Sequence, residues 1–135
     1  MFFKKKQLNN KFYIKVCALL IHAAKIDENY TEKEENIIKK TLQELGLDKE
    51  NVSSTIKEAE EIDENSNQIL DFTKEVKNMP TADKIKIVEA LWSIIYSNKD
   101  ADIYETNLMR RLGGLLYIDT KTMGDIKERV KKENS

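Results

Sequence analysis

The stretch Thr31-Glu32-Lys33-Glu34-Glu35-Asn36-Ile37-Ile38-Lys39-Lys40-Thr41-Leu42-Gln43-Glu44-Leu45-Gly46 spells out one helix from start to stop. Thr31 and Glu34 have the Ser/Thr-x-x-Glu spacing of a capping box, in which hydroxyl and carboxylate satisfy amides left free at a helix start. Ile37, Ile38, Leu42 and Leu45 recur at helical spacing, so one face is apolar and must be buried. Gly46 supplies a residue able to take the left-handed conformation that ends a helix.

Working outward, Phe12, Val16, Leu19, Leu20 and Ala23 predict an earlier helix with one buried face over residues 12 to 26. Asp27-Glu28-Asn29 interrupts it. Beyond Gly46, Asp48 is placed to cap a third helix running to about Ile62, with Val52, Ile56 and Ala59 inward. The polar break Asp63-Glu64-Asn65-Ser66 precedes a short helix with Ile69, Leu70, Phe72 and Val76. Met79-Pro80 ends that helix, because proline disfavours helical backbone at the preceding residue. Ile85, Val88, Leu91, Trp92 and Ile95 mark the next helix, ending near Asn98. Asp102 with Glu105 offers a second cap pair ahead of Leu108, Met109, Leu112, Leu115 and Leu116, with Gly113-Gly114 allowing close helix approach. A last helix starts at Asp119 or Thr120 and is expected to fray after Ile126, where charge dominates. No stretch alternates as a strand would, so the expected fold is all-α, with about seven helices and short connections.

The chain is 135 residues, with 23 Lys+Arg, 24 Asp+Glu, 4 Gly, 1 Pro, 1 Cys and 1 His. That length suits one domain. A single Cys and a single His exclude disulfide frameworks and zinc fingers, which makes a reduced, cytoplasmic setting the expectation. The net charge of −1 provides no field for a phosphate backbone, so no nucleic acid is expected. Arg110, Arg111, Lys127, Arg129, Lys131 and Lys132 are interleaved with Glu128 and Glu133 and look like a solvated face. No apolar run approaches the ~20 residues of a spanning helix. Phe2 and Phe3 beside Lys4, Lys5 and Lys6 offer at most a weak contact with an anionic membrane surface, peripheral to the inner membrane.

A shift of 71 residues lays the two halves over one another: Asp27 on Asn98, Thr31 on Asp102, Glu34 on Glu105, Ile37 and Ile38 on Leu108 and Met109, Leu45 on Leu116, Asp48 on Asp119. Caps and core positions repeat together. The expected organisation is a flexible segment 1–11 and one domain, 12–135, built from pseudo-symmetric repeats at about 12–62 and 81–133. Neither repeat could bury its apolar stripe alone.

The first copy, Ala23-Ala24-Lys25-Ile26-Asp27-Glu28-Asn29-Tyr30-Thr31-Glu32-Lys33-Glu34, carries an Ala-Asp-Gly-type turn with a Glu seven residues after the Asp. The second runs from Ile87 through Glu89-Ala90-Leu91-Trp92 and Asn98-Lys99-Asp100-Ala101-Asp102-Ile103-Tyr104-Glu105 to Leu108-Met109-Arg110-Arg111-Leu112. Together they resemble the TerB-like family, named after a tellurite-resistance protein, from about residue 12 onward, and most closely its small stand-alone bacterial members. The resemblance implies an all-α fold and, for some relatives, association with stress responses, metal-ion handling or membrane-bound complexes. Three positions depart from the family pattern: Glu28 and Lys99 replace the turn glycine, and Asn98 replaces the second aspartate.

Asp27, Glu28 and Glu34 with Asp100, Asp102 and Glu105 form a candidate site for calcium or magnesium, hard cations that take about six or more oxygen ligands. The competing reading makes Thr31 and Asp102 caps, Glu34 and Glu105 their reciprocal partners, and Asp27 and Asn98 turn residues. It accounts for every aligned pair without a cation, and no cofactor is required. Cys17 and His22 are about 140° apart around their helix and do not pair for catalysis. Trp92 reads as a core residue. No phosphate loop, nucleophile elbow or dinucleotide turn is present. The expected function is a non-enzymatic interaction or scaffold module with a protein partner, possible cation response and a link to stress. Its alternatives are a metal-dependent enzyme or accessory subunit using the loop carboxylates, and a peripheral membrane adaptor.

Overall fold

The computed structural model describes residues 10–26, 30–65, 69–97 and 103–133. Seven α-helices occur among them: α1 Asn10–Ala24, α2 Glu32–Glu44, α3 Val52–Asn65, α4 Leu70–Val76, α5 Thr81–Tyr96, α6 Ile103–Leu115 and α7 Thr120–Glu133, with a 3₁₀ turn at Lys49–Asn51. No strand occurs among the described residues. The expected segment 1–11 is described only from Asn10, where α1 already begins; Phe2, Phe3, Lys4, Lys5 and Lys6 lie outside the described residues.

The core is built on α1 and α5. Val16 through Ile21 form an unbroken run of six residues with no solvent exposure, and on α5 Ile87, Val88, Ala90, Leu91, Trp92, Ile94, Ile95 and Tyr96 are all buried. These two helices are therefore enclosed on more than the single face that periodicity predicted; a helix apolar around its circumference belongs inside. α1 packs on α2, α3, α4 and α5, while α5 packs on α1, α2 and α7, and α4 meets α6. The outer helices keep one apolar stripe each, such as Val52, Ile56 and Ala59 on α3 and Met123, Ile126 and Val130 on α7. No helix among the described residues is long and apolar enough to cross a membrane.

Three boundaries differ from expectation. Asp48 makes no side-chain cap; the chain enters α3 through the 3₁₀ turn, and Asn51 N–H donates to the Asp48 carbonyl. α3 continues past Ile62 to Asn65. α7 does not fray after Ile126 but runs to Glu133, because Val130 is buried and Arg129 pairs with Glu89 of α5. At its other end Asp119 caps the helix, accepting from Thr122 N–H at 2.7 Å.

The repeat is visible in hydrogen bonds. Tyr13 Oη donates to the Leu45 carbonyl at 3.2 Å, and Lys84 Nζ donates to the Leu116 carbonyl at 2.9 Å. Both donors and both acceptors are related by the 71-residue shift. In each half, a central helix thus satisfies a carbonyl left free at the end of the next helix. Both of those ends close as Schellman motifs: Leu47 N–H bonds Leu42 O and Gly46 N–H bonds Gln43 O, and Ile118 and Tyr117 do the same to Gly113 and Gly114. The left-handed position is Gly46 (φ 111°) in the first half and Tyr117 (φ 59°) in the second. Tyr117 accepts a backbone cost there, offset in part by Lys77 and Lys84, whose ammonium groups lie 5.6 and 5.8 Å from its ring centre. Gly46 has no such latitude, since an added Cβ would sit 3.0 Å from Tyr13 Oη. Gly46→Ala is expected to destabilise the fold by about 1–2 kcal/mol, read as a lower urea midpoint at unchanged m-value.

Candidate functional site

The cap box at the start of α2 reaches further than a helix end requires. Thr31 takes an extended backbone (φ −111°, ψ 178°), which turns its amide toward Glu34 at the third helical position. Thr31 N–H donates to Glu34 Oε1 at 2.7 Å, and the Thr31 hydroxyl donates to the same oxygen. Glu34 Oε2 accepts from Ser97 Oγ, 2.5 Å away on the turn that closes α5. Ser97 Oγ also lies 2.7 Å from the Ile94 carbonyl, so its single proton is shared. Lys33 Nζ completes the join by donating to the Ser97 carbonyl at 2.6 Å. The carboxylate sits at a helix N-terminus and the ammonium at a helix C-terminus, each where the helix dipole favours it.

This clasp fastens the first turn of α2 to the last of α5, 63 residues away in the chain. In the chain, Thr31 comes shortly after segment 27–29 and Ser97 directly before segment 98–102, the two segments that carry most of the sequence-derived carboxylates. Glu34 has no solvent exposure and Glu105 is 4% exposed. Burial pushes the Glu34 carboxyl up, but the bonds from Ser97 and Thr31 outweigh it and hold the group below its ordinary value. Asp27, Glu28, Asp100 and Asp102 lie outside the described residues. Among the described residues no three His, Cys, Asp or Glu side chains gather as a metal site would require. The Glu34 oxygens are engaged with Thr31 and Ser97.

Other reactive groups have structural surroundings. Cys17 is fully buried, and burial, then Glu60, push its thiol far up, so it stays protonated. The Tyr30 hydroxyl is raised by burial first and by Glu35 and Glu60 after it. The sequence reading did not find Ser97 or Lys33, because no local pattern links a serine ending one helix to a glutamate starting another so far away. Of the basic residues at 110–132, Arg110, Arg111, Arg129, Lys131 and Lys132 are exposed, as a solvated face requires, with Arg129 pairing with Glu89 at the surface; Lys127 departs from it, half-buried with its Nζ 5.5 Å from the centre of the Trp92 ring.

Among the described residues, two similar three-helix halves, α1–α3 and α5–α7, joined by α4 and fastened by a buried Glu-Ser contact between the first turn of α2 and the last of α5, define an all-α repeat domain. The chain belongs to the TerB family: the family described as tellurite resistance protein TerB matches residues 13–128. No curated protein matches. A crystal structure of a protein of unknown function from Porphyromonas gingivalis W83 shares the fold, with a TM-score of 0.63 at 15% identity over 94% of this chain and 100% of that one.

Proposed function

We propose that this TerB domain is a non-enzymatic interaction module that engages a protein partner through the surface around Thr31, Lys33 and Ser97, the described residues nearest in the chain to the acidic segments 27–29 and 98–102. The observation that carries this reading is the Glu34–Ser97–Lys33 clasp, which holds the residues flanking both acidic segments in a single unit. A cation such as calcium or magnesium, recruited by Asp27, Glu28, Asp100 and Asp102, would alter the charge presented there and make the contact cation-responsive. The family description supports a link to stress response, and a cytoplasmic location goes with this reading.

Calorimetric titration of the full chain with calcium and with magnesium is the direct test of the cation role. Saturable heat that disappears in Asp27→Ala is expected; heat that is absent, or indifferent to that substitution, removes the cation from the reading. Quantitative affinity capture from native cells tests the partner role separately. A protein enriched by the wild type and depleted about tenfold or more by an Asp27→Ala/Asp102→Ala variant is expected, whereas equal recovery by both would place the contact elsewhere.

A further inference from the structure

The two halves differ at one place in a way that packing does not explain. In the first half Leu42 and Ile56 are buried, at 0% and 4% exposure. The 71-residue shift puts Gly113 and Lys127 at those positions. Two core side chains are thereby replaced by a hydrogen atom and by a cation. Met123 fills part of the space, since a Cβ on Gly113 would lie 3.2 Å from its Cγ. What remains is a groove of about 560 Å³ between α6 and α7, floored by Trp92 of α5. That volume is in the range of small-molecule sites.

Three further features concern what would occupy it. Gly114 and Gly124 also line the groove, and a Cβ at either would meet nothing within 4 Å. Glycine inside a helix costs stability relative to alanine, so these positions leave the groove open at a cost that no packing contact repays. Trp92 is 3% exposed, yet its indole N–H is buried without an acceptor, where such a donor ordinarily finds one. Finally the charges favour an anion. Arg110 and Lys127 both line the groove, and among the described residues neither forms an ion pair: Arg110 Nη1 donates to Asn107 Oδ1 at 3.1 Å, and the Lys127 ammonium stands 5.5 Å from the centre of the Trp92 ring. Asp119, the carboxylate on the same rim, is occupied in capping α7.

We propose that this groove binds a small amphipathic carboxylate. The apolar body lies between α6 and α7 and moves the Lys127 ammonium off the Trp92 ring, the carboxylate is drawn to Arg110 and the displaced Lys127, and an oxygen of the ligand becomes the acceptor of the Trp92 indole once the side chains covering that N–H have shifted. The site shares no residue with the Glu34 clasp and stands independently of the partner reading.

The chain has a single tryptophan, so its fluorescence reports on the groove directly. Titrating the full chain with decanoate below its micellar concentration is expected to give a saturable emission change with Kd below about 1 mM, while decylammonium gives none. Arg110→Gln/Lys127→Gln is expected to weaken decanoate binding about tenfold. Gly124→Leu is expected to abolish binding while raising the thermal midpoint, a combination that loss of structure would not produce. Gly114→Leu serves the same purpose should circular dichroism show that Gly124→Leu does not fold. No saturable change with decanoate, equal response to decylammonium, or full affinity in the groove-filling variant would each overturn the proposal.

Discussion

Glu34→Ala is expected to lower the stability of the fold by about 2–4 kcal/mol. The carboxylate accepts from the Thr31 amide, the Thr31 hydroxyl and the Ser97 hydroxyl, and it has no solvent exposure. Truncation leaves the partly buried Thr31 amide without that partner and removes it from the Ser97 hydroxyl, which is buried away from water. A buried donor that loses its acceptor retains the full cost of its desolvation. Glu34→Gln keeps one acceptor oxygen and nearly the same shape, so it is expected to cost about half as much. Urea unfolding monitored by circular dichroism distinguishes these outcomes; a loss under about 0.5 kcal/mol for Glu34→Ala would mean that the clasp does not hold the halves together.

The same group makes stability depend on pH. Its folded value lies below the ordinary 4.5, so the unfolded chain takes up the proton first as pH falls. The stability it contributes is therefore complete above about 4.5 and is lost as pH drops through the folded value. Ser97→Ala removes one of the bonds that lower the carboxyl, so the loss should begin at higher pH than in the wild type. Glu34→Gln should remove this component of the acid transition altogether.

Leu91→Ala is expected to cost more, about 3–5 kcal/mol, equivalent to a fall of roughly 10–15 °C in thermal midpoint. Leu91 has no exposure and lies on α5, which is enclosed by α1, α2 and α7. A cavity on a helix held by three others closes poorly by the shift of any one of them, so the transfer cost and most of the cavity cost are both retained. Leu20 occupies the equivalent position on α1, equally buried, and its truncation should cost a similar amount. A loss under about 1.5 kcal/mol at Leu91 would show that α5 repacks freely.

Much of the architecture is legible before any coordinates. Thr31 with Glu34 marks the start of α2, Gly46 its end, and Pro80 the boundary before α5, because caps and breakers act through neighbouring backbone and need no tertiary context. The 71-residue repeat also survives, down to the paired bonds from Tyr13 to Leu45 and from Lys84 to Leu116. Local pattern misleads where distant packing decides. Charge after Ile126 suggests fraying, yet Val130 is anchored against the core and Arg129 against Glu89. Tyr117 is not a residue type that announces a left-handed turn, yet it takes the place of Gly46.

The sequence by itself determined the helical class, the order of the helices and their twofold repetition, since periodicity, capping and chain breaks are properties of adjacent residues. Only the tertiary structure decided what each charged and aromatic residue touches. It turned Glu34 from a local cap into the join between α2 and α5. It also placed Trp92, read as plain core, beneath an open groove flanked by Arg110 and Lys127. The reason is physical: hydrogen bonding and packing across tens of residues depend on how helix faces meet, and no spacing along one helix encodes the residue that another helix will bring to it.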